Sequence, residues 1–284
     1  MNFKKIICVP TGVAVLILIS GCSSLRTSTP FPLEQHIVIE KRLPEELPKQ
    51  SARFPGSQFV LIPQDSAVGL VVPIPFVTDI ALDMLHDNEA ADLAKRYAQI
   101  DPYIIVKNAM LDSRLIASDG HGISAKPFAY MIDCKDDRYR MALVVRMKEK
   151  EWIGRYVVHL PTTYTPEEIA AGSSSVIERM GRDLTEASVI IRRMIELDSN
   201  GKLNQPLYKA NVGSYNLACS NVGGLLPATL LLSRNALVVE EDDQHIIIRG
   251  TGDMTKSGAS GGLIFGMHYL RKDQLHTFDR LQGK

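Results

Sequence analysis

The chain predicts an α+β fold: a mostly antiparallel sheet with helices packed on one face. Residues 128–160 alternate apolar and polar side chains with a period of two, the pattern of a half-buried antiparallel meander. Residues 177–194 carry apolar side chains three and four apart, the stripe of a helix laid on such a sheet. The last third then returns to short β-like runs, and strands, a helix and further strands together read as α+β.

Taken in chain order, Lys4-Lys5 is followed by an apolar stretch from Ile6 to Ile19 and then by Ser20-Gly21-Cys22. A basic start, a short apolar run and small residues before a cut site describe a secretory signal, too short to span a bilayer. The Ser-Gly-Cys ending resembles a bacterial lipoprotein signal peptide with its lipobox. That resemblance covers about two dozen residues. It implies cleavage after residue 21 and a lipid on the Cys22 thiol, palmitate included. Ser23, where an Asp would favour the inner membrane, implies the periplasmic face of the outer membrane. Several acyl chains give stable anchoring, since each buried methylene contributes about 0.8 kcal/mol.

Residues 22–56 read as the spacer behind that anchor. Ser, Thr and Pro dominate 23–30, and Pro44, Pro48 and Pro55 follow; such a stretch buries little and stays extended. Within it, His36-Ile37-Val38-Ile39 is suited to dock as an edge strand. Residues 57–284 are expected to form a single periplasmic domain. It opens with Gln58 to Ile62, stopped by Pro63. Gly69 to Val77 is apolar but holds Pro73 and Pro75, which suits a buried loop better than a central strand, with an exposed apolar loop for a partner or membrane as the other reading. A helix is expected from Thr78 to Ala98, and a second from the Asp101-Pro102 cap toward Leu111.

In the meander, Phe128, Tyr130, Ile132 and Cys134 alternate with Ala129, Met131 and Asp133. Tyr139, Met141, Leu143, Val145 and Met147 then face one way while Arg138, Arg140, Arg146 and Lys148 face the other. Trp152 to Leu160 completes the apolar side. Thr165-Pro166-Glu167-Glu168 is a capping box with proline at the first helical position. Gly172 interrupts the helix, and beyond it Ile177, Met180, Leu184, Ala187, Ile191 and Met194 form the core stripe opposite Arg179, Arg182, Asp183, Glu186 and Arg193. Asn200-Gly201 ends it. Strands are expected at 228–233, 236–240, 245–249 and 263–270.

Composition narrows the function classes. With 32 basic and 32 acidic residues in the whole chain, and two lysines and no acid in residues 1–21, the mature balance is 30 − 32 = −2, which argues against bulk nucleic-acid binding. A hydrophobic share of 45% permits a proper core. Of four cysteines, Cys8 leaves with the signal and Cys22 takes the lipid. Cys134 and Cys219 remain and suggest one disulfide in an oxidising compartment. It would close a loop of about 85 residues, for roughly 4 kcal/mol in the chain-entropy model. Two separate buried thiols, or a metal site without a convincing His partner, are the alternatives.

Three places could carry chemistry. Gly258-Ala259-Ser260-Gly261-Gly262 resembles the nucleophile motif of trypsin-like serine proteases, with a serine beside backbone amides that stabilise an oxyanion. It departs at Ala259, and no Ala-Ala-His-type motif precedes it; a bending turn is the simpler reading. Arg138, Arg140, Arg146, Lys148 and Arg155, with His159 beside them, form a cationic sheet face. It is suited either to an anionic envelope partner or to plain solvation. Ser118-Asp119-Gly120-His121-Gly122 puts Asp and His in one loop, two ligands without a third. Neither a metal nor a cofactor is expected. The sequence therefore reads as a non-catalytic lipoprotein acting in envelope binding or assembly, with the membrane, other envelope proteins or anionic envelope polymers as partners. A periplasmic serine hydrolase using Ser260 is the alternative.

Overall fold

The computed structural model describes residues 26–32, 34–45, 47, 51–62, 87–117, 120–134, 137–214, 233–252 and 265–281. The signal with Cys22, the Gly69–Val77 run, Ser118-Asp119, Cys219 and Ser260 lie outside them.

The period-two pattern does build a mostly antiparallel sheet, and the chain is α+β. Its strands are β1 (Arg26–Thr27), β2 (Ile37–Ile39), β3 (Ala52–Arg53), β4 (Phe59–Ile62), β5 (Ile123–Cys134), β6 (Arg138–Glu149), β7 (Trp152–His159), β8 (Tyr208–Ser214), β9 (Ser233–Glu241), β10 (His245–Gly252), β11 (Gly266–Arg271) and β12 (Leu275–Leu281). The path across the sheet is β12-β8-β9-β10-β11-β7-β6-β5-β4-β3, with β1 added to β10 and β2 to β5. Three pairs are parallel, β2–β5, β4–β5 and β7–β11. A one-turn 3-10 segment, Lys272–Gln274, joins β11 to β12.

The meander starts five residues earlier than its alternation suggested and runs through Pro127. A proline inside a strand normally deletes a ladder bond. Here β2 pairs with β5 at Ile123 to Ala125 and β4 pairs with it at Phe59 to Ile62, opposite Ala129 to Ile132. Ile123 N donates to His36 O, and Ala129 N to Gln58 O. Pro127 faces that same side, in the gap between the two short strands, where no donor is needed.

Helical residues 87–96 we label α1; α2 is Pro102–Met110, α3 Pro166–Ala171 and α4 Ser174–Ser199. Each start follows from its cap. Asp101 Oδ1 accepts from Tyr103 N at 2.9 Å. Thr165 and Glu168 exchange bonds, Glu168 N donating to Thr165 Oγ1 at 3.2 Å and Thr165 N to Glu168 Oε2 at 2.9 Å. Gly172, left-handed at φ 54°, ends α3 and lets α4 leave in a new direction. The predicted stripe Ile177, Met180, Leu184, Ala187, Ile191 and Met194 is buried throughout. It packs in one core with Met141, Leu143, Val145, Tyr156 and Val158 of the sheet and with Leu93, Tyr97, Val106 and Met110. Asp183, placed on the outer face by its spacing, is in fact buried.

Two corrections concern the rest of the chain. Segments of the stretch read as a spacer are docked on the domain: β1, β2 and β3 pair in the sheet, and Ser28, Phe31 and Ile37 are buried. Serines, threonines and prolines suppress helix without preventing the edge pairing that short extended segments can make. The middle of the opposite face of the sheet is not solvated either. Val60, Ile62, Phe128, Tyr130, Ile132, Cys134, Ala142, Val144 and Val157 form a second buried cluster there, and Leu43 packs against it. Strands β8 and β12 were not anticipated; they pair with each other at the sheet edge. Among the described residues, no helix is long and apolar enough to cross a membrane.

Candidate functional site

The register of the meander assembles a cationic row. Lys126 on β5 opposes Arg146 on β6, and Arg146 opposes Arg155 on β7. Strand alternation sends all three to the face away from α4. Arg146 and Arg155 are each 5% exposed, so the five predicted cations do not make one patch. Arg138 and Lys148 are exposed and Arg140 is half-buried. Ten residues of extended strand, about 33 Å, separate Arg138 from Lys148, which stand at opposite ends of β6.

Arg155 Nη2 donates to Tyr130 Oη at 3.1 Å, and the guanidinium lies 5.6 Å from the Tyr130 ring centroid. Its Nε has no hydrogen-bond partner among the described residues. Burial, then the nearby Arg146 charge, pushes the Arg155 pKa below its ordinary range, and burial raises that of Tyr130. Gly266 makes this packing possible. At φ +117°, a Cβ there would stand 2.4 Å from Arg155 O and 2.8 Å from Arg155 Cβ, so β11 reaches β7 only with glycine at that point.

Four residues further along β7, His159 Nε2 and His268 Nδ1 share a hydrogen bond at 3.2 Å, their rings nearly parallel at 13°. Burial, then Arg155, lowers His159 to about 3. It is therefore an uncharged hydrogen-bonding group at neutral pH and a poor proton acceptor. His268 was not singled out from the sequence; its inward parity on an apolar strand was the available signal. His121, by contrast, is exposed in its loop.

No family model, curated protein or solved structure matches this chain.

A second polar cluster lies under α4. Arg249 Nη2 donates to Asp198 Oδ1 at 2.6 Å and to Leu203 O at 3.3 Å. Asp198 Oδ2 accepts from Tyr156 Oη at 2.7 Å and from Phe31 N at 3.3 Å. Burial, then Asp198, raises the Tyr156 pKa far above its usual value, so the phenol stays protonated as a donor. This cluster ties the end of α4, strands β7 and β10 and the incoming chain into one buried node. Phe31 also meets Trp152 edge-on at 5.5 Å, and Trp152 Nε1 donates to Pro30 O at 2.9 Å.

A third set is partly exposed. Glu241 accepts from Lys272 Nζ at 2.8 Å, from Arg280 Nη2 at 2.9 Å and from Tyr208 Oη. Burial alone would raise its pKa; the three donors outweigh that and hold it below the ordinary carboxylate value. Across these three sets, side chains fix strands to one another and to α4.

Proposed function

We propose that this protein is a lipid-anchored envelope protein, exported and held through Cys22 at the periplasmic face of the outer membrane. Its domain acts by binding or assembling with envelope components rather than by turnover. The observation that carries the location is the order Lys4-Lys5, Ile6 to Ile19, Ser20-Gly21-Cys22-Ser23. A binding role is supported by the use of the described buried polar groups to join elements: Asp198 with Arg249 and Tyr156, Arg155 with Tyr130, His159 with His268. Other envelope proteins or anionic envelope polymers are the partners in this reading.

In-cell photocrosslinking from the exposed positions Arg138 and Lys148, one at each end of β6, tests it. A specific adduct with an envelope protein or polymer at one of the two ends is expected. No adduct at either end, together with fluorophosphonate labelling that Ser260→Ala abolishes, would replace binding by hydrolysis.

A further inference from the structure

The docked N-terminal segment fixes how far the domain can stand from the membrane that anchors it. Arg26 pairs with Gly252 and Thr27 with Thr251, so the chain is already part of the sheet at residue 26. Only four Cα–Cα steps separate Arg26 from Cys22, a reach of at most about 14 Å whatever their conformation. Had residues 22–56 been a free spacer, the same arithmetic would have allowed about 120 Å.

The register also says which end of the sheet is held close. β1 is antiparallel to β10 and meets its last residues. Gly250 opposes Gly266 at the start of β11, and β11 is parallel to β7 with Met267 beside Tyr156. The start of β7 is thus at the same end, where Glu149 opposes Trp152 across the β6–β7 turn. Lys148, Lys150 and Glu151 are exposed there. The β5–β6 turn and the β9–β10 turn, with Arg138 and Asp242 to Gln244, lie at the other end, about 40 Å away along the twelve-residue β6.

We infer that the domain sits directly on the lipid surface that carries its anchor, with the Trp152 end of the sheet toward the bilayer and the Arg138 end toward the periplasm. This rests on the lipidation of Cys22 proposed above. Three docking contacts hold the short leash: the β1–β10 pairing, the Trp152 Nε1 bond to Pro30 O, and Phe31 seated against Trp152 with its N–H on Asp198. The occupant of this face is the membrane itself, because four residues leave little room for a layer between.

Trp152 is the only tryptophan of the chain, which makes the geometry measurable. Its indole bonds Pro30 O, eight residues from Cys22 and so within about 30 Å of the anchor. The experiment reconstitutes the acylated full-length mature protein into phosphatidylglycerol–phosphatidylethanolamine vesicles that contain a dansyl-headgroup lipid. It records energy transfer from Trp152, beside a variant with twenty Gly/Ser residues inserted after Ser24. The insert adds about 25 Å of root-mean-square reach. Strong transfer in the parent and loss of most of it in the variant is the expected result. Weak transfer in both, or equally strong transfer in both, overturns the leash provided both proteins float with the vesicles. Failure of the parent to float rejects the lipid anchor instead, so the two ideas fail separately.

Discussion

Asp198 and Arg249 meet at 2.6 Å with side chains 1% and 3% exposed, joining the end of α4 to the inner face of β10. A buried charge pair gives little net stability against an apolar replacement, but breaking it leaves one charge uncompensated. Asp198→Ala is therefore expected to lose about 3–5 kcal/mol, read from the urea midpoint. It also removes the acceptor of Phe31 N, so limited proteolysis near residues 28–32 should accelerate. The double change Asp198→Leu with Arg249→Met should recover most of the stability; equal loss in both variants would show that the pair is not what matters there.

Phe31 is 3% exposed and packs on Trp152. Truncation of a buried phenylalanine costs about 3–5 kcal/mol. Phe31→Ala should lose stability in that range and red-shift the emission of Trp152, the lone tryptophan, as water reaches the indole. Unchanged emission would mean that the segment does not cover the β7 start.

His159 gives the fold a defined acid sensitivity. Its folded pKa, about 3, lies below the ordinary 6.5, so the unfolded chain takes up the proton more readily. The stabilising difference is fully present above about pH 6.5 and is lost as pH falls from there toward 3. Burial also lowers the pKa of His276, which acts in the same direction. Urea midpoints at pH 7.5 and pH 5 should differ clearly in the parent and less in His159→Gln. An identical pH slope in the two proteins would remove His159 as the cause.

Two glycines should respond to alanine with opposite signs. At Gly266 the φ of +117° and the 2.4 Å approach to Arg155 O leave no room, and Gly266→Ala should cost about 2–4 kcal/mol. At Gly181, inside α4, an added Cβ meets nothing within 4 Å. Gly181→Ala should therefore stabilise by about 0.5–1 kcal/mol. Thermal melts of both variants check the pair.

The proposed link between Cys134 and Cys219 has a simple readout. Cys134 is 1% exposed on the face opposite α4, and its proposed partner lies outside the described residues. Non-reducing and reducing gels should differ in mobility, and the difference should vanish in Cys219→Ser. Identical migration, with both thiols open to alkylation after unfolding, rejects the link.

Much of the fold was legible because local physics and packing agree in it. Thr165-Pro166-Glu167-Glu168 caps a helix and does so here; the stripe from Ile177 to Met194 is the core stripe; Tyr139, Met141, Leu143, Val145 and Met147 share one face of their strand, in the core that α4 covers. What escaped depended on partners distant in sequence. A spacer-like composition around Phe31 says nothing of the Trp152 ring and Asp198 carboxylate that receive it. Pro127 hides in a strand because β2 and β4 leave a gap beside it. The cations of the meander were placed on the correct face, yet whether that face meets water is decided by segments elsewhere in the chain. Some of the missed node was visible after all. Asp198 lies four residues beyond Met194 on the apolar stripe, and Arg249 shares its inward parity with Ile247. Two opposite charges on two buried faces are a signal to look for each other.

The most direct measurement is the intact mass of the mature protein made in an exporting bacterial host, beside Cys22→Ser. A chain that begins at residue 22 and carries acyl mass on that cysteine is the expected product, with Cys22→Ser unacylated and released from the membrane. A product that keeps residues 1–21, or a Cys22→Ser protein equally bound to membrane, would contradict the anchor on which location and orientation both stand.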